Sequence, residues 1–321
     1  MIITDFHCDT ISAVKDRKKE LYSNDLHIDL KRMISQKRGT EDGFIQVFAL
    51  YCGKPQSKVP LMRNLFRYLD CYYENIEKNK EHIRHCNTYD DITSSISTDR
   101  VASILAVEGG DVLLGEMSAL RTFYRLGVRL LTLTHWYNNE ISGSSASLPS
   151  QRSGLTQFGR DIVKEMNVLG MLIDVAHLSD NGFYDVISSS STPIVASHSN
   201  ARKLCGHSRN LTDDQILTLS KKGGVIGINF LPDFLNYSGK AKVSDIVRHI
   251  EYIAGLGGID CVGFGSDFDG IDSLPEGIRG IQDFTIILNE LAKLNYRQDE
   301  LDKIAGLNLL DLLKKVLVSG T

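Results

Sequence analysis

Short apolar, β-branched segments recur about eight times along this chain, and helix-like segments lie between most of them. The candidate strands cover residues 2–6, 44–50, 101–107, 128–134, 169–175, 193–197, 224–230 and 260–266. Strands that alternate with helices form parallel sheets, because each helix carries the chain back to the edge where the next strand starts. The alternation therefore predicts an α/β protein, and eight such units fit a TIM-like (β/α)8 barrel.

The segments between the strands carry apolar residues at three- and four-residue steps, which is the pattern of helices with one buried face. The predicted helices cover residues 61–85, 157–168, 243–256, 283–294 and 299–318. Thr212 and Gln215 precede a further apolar segment with the spacing of a helix N-cap and its partner. A helix is therefore expected to start at that point.

The length of 321 residues fits one barrel with insertions. The chain contains no linker rich in proline, or in serine and glycine, that would divide it. We therefore expect a single domain over residues 1–321, with irregular elaborations around 15–43 and 51–60. A serine-rich segment, 142–153, follows a predicted strand and is expected to form a loop at the top of the barrel.

The bulk composition excludes several classes of protein. A net charge of −4 and a pI near 6.1 provide no basic surface for nucleic acid. No apolar run approaches the ~18–20 residues that a membrane span needs, and no signal peptide is visible. The six cysteines are scattered without CxxC spacing, which predicts free thiols. We therefore expect a cytoplasmic protein without a nucleic-acid or membrane partner.

Histidines and carboxylates are concentrated at the downstream ends of the predicted strands. These residues are His7, Asp9, Glu108, His135, His177, His198 and Asp267. In a (β/α)8 barrel, the C-terminal ends of the strands meet at the face that carries the active site. Imidazoles and carboxylates bind zinc and similar divalent ions, and they also transfer protons. The pattern predicts a metal-dependent active site at that face.

Five of these residues form a candidate ligand set for two metal ions. His7 and Asp9 are two residues apart, so their side chains face the same way from a strand. His177 and His198 are 21 residues apart, which places them on adjacent strands. Glu108 ends an apolar run and needs a partner if it is buried, because an unpaired buried carboxylate is costly. Glu108 is the natural bridge between two metals, and a capping carboxylate in a turn is the alternative.

A metal pair that holds a hydroxide and polarises a carbonyl is hydrolytic machinery, and it needs a group that transfers protons. Asp267 is the first candidate for that group; Asp269 is its rival, or a structural turn residue. His135 could donate a hydrogen bond to an oxyanion, or simply pack beside Trp136. Arg209 could bind a substrate carboxylate through its planar fork of donors, or it could be a solvated surface residue.

Taken together, these residues resemble the membrane (renal) dipeptidase family of binuclear zinc peptidases, in the order and spacing of its motifs over roughly residues 1–310. The motifs are FHCDT, AVEGG, LTLTH, IDVAHLS, ASHSNAR, HSRNLTDDQI and GFGSDFDG. The resemblance implies two zinc ions bridged by Glu108 and a hydroxide: His7 and Asp9 bind one ion, and His177 and His198 bind the other.

The same resemblance implies roles for the remaining residues and for the whole protein. By it, His135 contacts the scissile carbonyl and the tetrahedral intermediate, Arg209 receives the C-terminal carboxylate of a dipeptide, and Asp267 relays a proton to the leaving amine. The implied substrate is a dipeptide, with tolerance for a D-residue at its C-terminal position. The chain is most similar to the soluble bacterial members, and a homodimer is expected.

Two alternatives remain beside a zinc dipeptidase. The first is another binuclear barrel amidohydrolase that acts on a different amide or ester. Several such enzymes bridge their metals with a carbamylated lysine on the fourth strand, but this chain has no lysine between Lys80 and Lys164. The second is a catalytically silent barrel that serves as a binding protein, which is disfavoured because every candidate ligand is present.

Overall fold

The computed structural model describes residues 1–37, 39, 42–53, 58–148 and 152–317, and these residues contain nine parallel strands in one sheet. The strands are β1 Ile2–Cys8, β2 Gly43–Tyr51, β3 Ile83–His85, β4 Val101–Glu108, β5 Val128–Thr132, β6 Leu172–Asp174, β7 Val195–Ala196, β8 Val225–Ile228 and β9 Val262–Phe264. The strand order is β2-β1-β9-β8-β7-β6-β5-β4-β3.

An additional pairing between β2 and β4 closes the sheet into a barrel of eight strands, without β3. This ladder runs from Ile45 opposite Ala102 to Tyr51 opposite Glu108, so the last residues of the two strands lie side by side. On the other side of β1, Asp5 pairs with Phe264 of β9. Helices follow most strands, and the predicted (β/α)8 barrel is confirmed.

The predicted helix over residues 61–85 is wrong at its end. The helix covers Lys58–Lys78, and Ile83–His85 form β3 instead. Strand β3 pairs with the first half of one edge of β4, and β5 pairs with the second half of that edge. Ile83 continues the helical spacing of apolar residues, but the open edge of β4 offers its backbone a ladder of hydrogen bonds. This non-local pairing overrides the local pattern.

The helices of the described residues lie between and after the strands. They are α1 Thr10–Asp16, α2 Leu30–Ser35, α3 Lys58–Lys78, α4 Tyr89–Ser97, α5 Met117–Arg125, α6 Gln157–Leu169, α7 Asp180–Ser189, α8 Asp213–Lys221, α9 Pro232–Leu235, α10 Val243–Gly257, α11 Phe284–Lys293, α12 Gln298–Asp302 and α13 Asn308–Val316. Helices α6, α10 and α11 lie within one residue of their predicted ends. The predictions did not include α1, α2, α4, α5, α7 or α9.

The predicted last helix, 299–318, is interrupted by a π-helical turn over Lys303–Leu307. Gly306 of this turn packs so closely on β1 that an added Cβ would lie 2.6 Å from the carbonyl oxygen of Ile2. Close packing on β1 therefore explains why a glycine is needed here. Residue 318 of the predicted helix, residues 149–151 of the serine-rich loop and residues 54–57 of the second elaboration lie outside the described residues.

Apolar side chains fill the inside of the barrel. Alternate residues of β2, namely Ile45, Val47 and Ala49, point into this interior cluster, to which α13 contributes Leu309 and Leu313. A second, larger cluster lies between the outer face of the sheet and the surrounding helices. Because the interior is packed with apolar side chains, the polar residues collect at the C-terminal ends of the strands.

All six cysteines lie among the described residues, and each is a free, buried thiol. Cys8 packs in the larger apolar cluster, as a small hydrophobic residue would. Over the part of the chain that the structure covers, no helix combines the length and apolarity needed to cross a membrane.

Candidate metal centre and active site

The five predicted metal ligands lie together at the C-terminal ends of four barrel strands. His7 lies in β1, Asp9 follows β1, Glu108 ends β4, His177 follows β6 and His198 follows β7. Oε1 of Glu108 lies 3.1 Å from Nε2 of His177 and 3.5 Å from Nε2 of His198. The same oxygen lies 3.6 Å from Nε2 of His7, which is 3.5 Å from Oδ2 of Asp9.

Three overlapping groups among the described residues have their ligand atoms within 4.8 Å of one another. One joins Asp267 to His7 and His198, and the other two consist only of the five predicted ligands. We call the group of His7, Asp9 and Glu108 the first cation position. The group of Glu108, His177 and His198 is the second cation position. Because Glu108 belongs to both groups, its carboxylate could bridge two ions, and the mixture of imidazoles and carboxylates suits zinc or a similar divalent metal.

The backbone near the centre adopts uncommon conformations. His177 has φ 68° and Asp267 has φ 62°, both in the left-handed region that non-glycine residues rarely occupy. Such strained residues persist only where surrounding structure holds them, and they are concentrated at functional sites.

Asp9 occupies the N-cap position of α1, but its side chain makes no capping hydrogen bond. Its carboxylate is therefore available to the site.

The hydrogen bonding of the buried ligands fits bound cations. Among the described residues, neither ring nitrogen of His7 has a hydrogen-bond partner, nor does Oδ1 of Asp9. Unpaired buried polar atoms are costly, and ligation to a metal would pair Nε2 of His7 and the oxygen of Asp9. Gly270 leaves space beside them, because an added Cβ would collide with Oδ2 of Asp9 and lie 2.7 Å from Oδ1 of Asp267.

The charges around the first cation position favour a positive ion. Burial disfavours the charged ring of His7, but Glu108 and Asp9 outweigh burial and raise the pKa of His7 to about 10. Burial also raises the pKa of Glu108 well above its ordinary value, although His7 opposes this shift. A cation bound here would supply the positive charge that these carboxylates otherwise draw from a proton on His7.

The histidines of the second cation position are neutral at neutral pH. Burial, followed by the charge of Arg209, lowers the pKa of His177 well below its ordinary value. Burial and the neighbouring His7 do the same for the pKa of His198. The Nε2 atoms of His177 and His198 lie 3.0 Å apart. Neutral imidazoles whose nitrogens converge in this way are suited to bind a metal ion.

Asp267 lies beside the metal centre, with Oδ1 3.9 Å from Nε2 of His7. Its other oxygen, Oδ2, accepts a hydrogen bond of 2.9 Å from the side-chain amide of Asn229. Burial raises the pKa of Asp267 to about 6, although His7 opposes this shift. The carboxyl group is thus held at one oxygen, and the other faces the ligands.

Asp269, the rival candidate, is engaged in holding loops together. Its Oδ2 accepts a hydrogen bond of 2.6 Å from the hydroxyl of Thr10, and its Oδ1 accepts one of 2.8 Å from the backbone amide of His27. The backbone amide of Asp269 also donates to Nδ1 of His27 at 2.9 Å. These contacts match the alternative role of Asp269 as a structural turn residue.

Arg209 is buried, with 3% of its surface exposed, so the alternative of a solvated surface arginine is wrong. Its Nη2 donates to the carbonyl oxygen of His198 at 3.1 Å, and its guanidinium lies 5.7 Å from the ring centre of Phe234. Its Nε has no hydrogen-bond partner among the described residues. Burial lowers the pKa of Arg209 to about 10, which leaves the guanidinium charged at neutral pH.

His135 packs within a group of rings. Its ring centre lies 4.1 Å from that of Tyr51, 4.4 Å from that of His177 and 5.5 Å from that of Trp136. Its Nε2 lies 3.7 Å from Oε1 of Glu108. Burial, followed by the charge of Arg209, lowers the pKa of His135 to about 2, so the imidazole is neutral.

A cavity of about 430 Å³ opens above these residues. Its lining includes Asp9, Glu108, His135, His177, Arg209 and Asp267, together with Tyr51, Trp136, Leu231, Phe234 and Ile271. A cavity of this size and mixed lining suits a small molecule that carries both charged and apolar groups.

The sequence-based predictions missed residues that support the site. Tyr51 ends β2 opposite Glu108 and packs against the ring of His135. Asn229, just after β8, bonds with Asp267, and Phe234 of α9 packs beside Arg209. Tyr51 directly follows the predicted strand 44–50, and Asn229 lies near the end of the predicted strand 224–230, so strand-end position would have indicated both if amides and phenols had counted as candidates.

The chain matches the family model of membrane dipeptidase (peptidase family M19) over residues 1–319. It is 31% identical over 297 residues to dipeptidase tcpJ of Claviceps purpurea, an alignment that covers 90% of this chain and 69% of that protein.

Two solved structures have a similar fold. A metallopeptidase of Rhodobacter sphaeroides, liganded with a phosphinate mimic of the dipeptide L-Ala-D-Ala, has a TM-score of 0.89 at 24% identity and covers 98% of this chain and 99% of its own. A metallopeptidase of family M19, dipeptidase AC, has a TM-score of 0.90 at 24% identity and covers 99% of both chains. The solved structures show a shared fold, and the sequence matches show the family. The chain belongs to the membrane dipeptidase family, peptidase family M19, and is a metallopeptidase.

Proposed function

We propose that this metallopeptidase hydrolyses the peptide bond of dipeptides with two zinc ions as cofactors. One observation carries the proposal: two groups of ligands that share Glu108 line the same small cavity as the buried, charged side chain of Arg209. A cation pair acts on a carbonyl, and a buried arginine requires an anion. A dipeptide carries its carboxylate one residue away from its only peptide bond, so it offers both groups within a short span.

The two cation positions would hold the zinc ions. When bound, a pair of zinc ions supplies a hydroxide at neutral pH for attack on the peptide carbon, and it polarises the carbonyl. His7 and Asp9 would complete the first position, and His177 and His198 the second, with Glu108 shared. The absence of lysine between Lys80 and Lys164 further supports a carboxylate bridge over a carbamylated lysine.

Arg209 would bind the C-terminal carboxylate of the substrate. Its guanidinium is charged, buried and fixed by the carbonyl oxygen of His198, and Nε has no partner among the described residues. A guanidinium presents parallel N–H donors that match the two oxygens of a carboxylate. This contact would place the peptide bond over the metal centre and favour substrates that end one residue beyond it.

His135 would stabilise the negative charge that develops on the carbonyl oxygen. A neutral imidazole carries one N–H, and Nδ1 of His135 has no other partner in the described part of the chain. Tyr51 and Trp136 hold the ring in place by packing against it. A donor that is already oriented costs no reorganisation when the charge appears.

Asp267 would transfer the proton. A carboxyl group whose pKa burial raises to about 6 can both accept and release a proton near neutral pH. Because Asn229 holds Oδ2, the free Oδ1 would take the proton from the attacking water and give it to the leaving amine. The peptide nitrogen then departs as a neutral amine.

A similar protein supports a proposal about the stereochemistry of the second residue. The metallopeptidase of Rhodobacter sphaeroides, which shares this fold, binds a mimic of a dipeptide with a D-residue at its C-terminal position. We propose that the present chain also accepts such substrates. Because no linker divides the chain, we also propose a single domain over residues 1–321. By the family resemblance we expect a homodimer, and light scattering of the 35.8 kDa chain would measure it directly.

Metal removal is the central test. We expect a chelator to abolish hydrolysis of a panel of L,L- and L,D-dipeptides, and zinc to restore it, because the ligands alone cannot generate the nucleophile. The assay measures release of free amino acids before chelation, after dialysis and after addition of zinc. Activity that survives complete metal removal would contradict the proposal. Turnover of a cyclic amide or a phosphoester without turnover of any dipeptide would support another amidohydrolase activity.

A further inference from the structure

Below the second cation position lies a buried carboxylate, Asp174, at the end of β6, with no exposed surface. Its Oδ1 accepts hydrogen bonds of 2.9 Å from the backbone amides of Ala176 and Ser197. Its Oδ2 accepts hydrogen bonds of 2.6 Å from the hydroxyls of Thr132 and Ser197. Four donors thus surround the carboxylate, and both of its oxygens serve as acceptors.

The hydrogen bonds to Asp174 determine which atom donates in the hydrogen bond between Ser197 and His198. A serine hydroxyl has one hydrogen, and that of Ser197 is donated to Asp174. Oγ of Ser197 also lies 2.7 Å from Nδ1 of His198. Because Oγ of Ser197 can only accept at this contact, Nδ1 of His198 must carry the proton. The lone pair of His198 is then on Nε2, which faces Glu108 at 3.5 Å.

We propose that Asp174 and Ser197 are positioning residues that hold His198 in the tautomer and orientation required to bind a cation at the second position. The inference rests on the proposed metal centre. It adds that these two residues support the second cation position and not the first. Partners of this kind typically change metal affinity by about 10–100-fold when they are removed. The Nδ1 atoms of His7 and His177 have no partner among the described residues, so His198 is the ligand whose ring is oriented by this route.

The chain contains a matched arrangement at β1 and the segment that follows β9. Asp5 of β1 is buried, and its two oxygens accept from the backbone amide of Ser266 at 2.8 Å and from its hydroxyl at 2.7 Å. The other contacts of the Ser266 hydroxyl are to the backbone, namely the carbonyl of His7 at 3.3 Å and the amide of Phe268 at 3.1 Å. Ser266 thus resembles Ser197 in burial and bonding to a carboxylate, but it does not orient a ligand ring.

Zinc affinity separates the two serines. Metal-free wild type, Ser197→Ala and Ser266→Ala would be titrated with zinc against a chromophoric chelator, with circular dichroism to check folding. We expect wild type to bind two zinc ions and Ser197→Ala to bind one of them about 10–100-fold more weakly, with the other unchanged. Ser266→Ala should retain both affinities, because it loses an equivalent hydroxyl without freeing a ligand ring.

The tautomer of His198 can be measured as a second test. It should not change if Asp174 and Ser197 serve only to stabilise the fold. Two-bond ¹H–¹⁵N spectra of the metal-free protein report which ring nitrogen carries the proton. We expect Nδ1 in wild type. In Asp174→Asn the amide nitrogen would face the hydroxyls and donate to Ser197, whose hydrogen would then turn to His198. The proton of His198 should therefore move to Nε2, the atom that faces the metal.

Each result decides between the inference and the proposed function. Equal zinc affinities for Ser197→Ala and wild type, or a proton on Nε2 of His198 in wild type, would overturn the role of the two positioning residues. A folded wild type that binds no zinc would instead contradict the proposed metal centre. If Asp174→Asn does not fold, the affinities of Ser197→Ala and the wild-type tautomer decide the question without it.

Discussion

At the scale of single residues, different local contacts distinguish the chemistry of similar side chains. Asp267 and Asp269 are two residues apart, and both have left-handed backbone conformations. The oxygens of Asp269 accept hydrogen bonds from Thr10 and His27, which secure the loops, whereas Oδ1 of Asp267 faces His7. Different partners therefore give the two neighbouring carboxylates different surroundings, which is why we propose proton transfer for Asp267 and not for Asp269.

Replacement of Asp267 by asparagine tests its role in proton transfer. We expect turnover to fall by about 10²–10⁴-fold, because the amide cannot accept and release the proton. Zinc content should remain that of wild type, because the five proposed ligands are intact. Asp269→Asn serves as the control and should lower turnover much less. The assignment would be wrong if Asp267→Asn retained wild-type turnover, or if its whole effect were explained by lost zinc.

Replacement of Arg209 by methionine tests recognition of the substrate carboxylate. We expect kcat/KM for a dipeptide to fall by about 10–100-fold, the cost of losing hydrogen bonds to a charged group. A dipeptide amide lacks the carboxylate and should be affected least. Arg202→Met is a matched control from the same loop, because Arg202 pairs with Asp180 at 2.8 and 2.7 Å and lies outside the cavity lining. Equal losses for the dipeptide and its amide would refute the assignment.

At the scale of helices and strands, local sequence signals were reliable where nearby side chains hydrogen-bond the free backbone groups at the end of a helix. The predicted start of α8 is a capping box: Oγ1 of Thr212 accepts from the backbone amide of Gln215 at 3.2 Å, and Oε1 of Gln215 accepts from the amide of Thr212 at 2.8 Å. Both bonds lie within four residues, so the sequence contains everything needed to predict them. By contrast, β3 depends on a strand edge that is distant in the chain.

Removal of the cap of α8 should destabilise the protein without affecting its chemistry. We expect Thr212→Ala to lower the free energy of unfolding by about 1 kcal/mol, because the backbone amide of Gln215 loses its acceptor. Urea unfolding of the zinc-loaded protein measures this change. Thr218→Ala, in the middle of the same helix, is the control and should be neutral or slightly stabilising, since alanine favours helix more than threonine does. The same loss from both variants would show that the cap contributes nothing specific.

At the scale of the whole molecule, contacts between distant parts of the chain determine how stability depends on pH. His249 of α10 is fully buried; its Nε2 lies 2.9 Å from the carbonyl oxygen of Leu235, and its Nδ1 accepts from the amide of Ala201 at 3.1 Å. A proton on Nδ1 would face that amide hydrogen, so the folded protein requires the neutral ring. Burial accordingly lowers the pKa of His249 to about 4.

This lowered pKa predicts a loss of stability in mild acid. Below about pH 6.5 the unfolded chain binds a proton at His249 that the folded protein does not bind until about pH 4. Stability therefore falls as the pH decreases through this range. Between pH 7 and pH 5 we expect wild type to lose up to about 2 kcal/mol more than His249→Gln.

Urea unfolding at the two pH values, in the same buffer and with the same zinc content, measures this difference. A further comparison at pH 7 and pH 8 is the control, because His249 is neutral in both the folded and the unfolded state there. Identical pH dependence of wild type and variant between pH 7 and pH 5 would contradict the prediction.

The sequence by itself determined the eight-fold alternation and the types of side chain at the strand ends. These features rest on neighbours in the chain: apolar periodicity, capping residues and the position of a histidine or carboxylate after a β-branched run. The barrel and the convergence of His7, Glu108 and His198 could therefore be predicted, because the strands of a closed parallel sheet end at one face.

Only the tertiary structure decided what surrounds those side chains. The pairing of β2 with β4 places Tyr51 beside Glu108. Arg209 is buried, and a buried positive charge is stabilised by binding an anion. The hydroxyl that orients His198 also acquires its direction from a carboxylate on the neighbouring strand, Asp174. Such features depend on contacts between residues far apart in the chain, whose energies arise only when the barrel closes and excludes water.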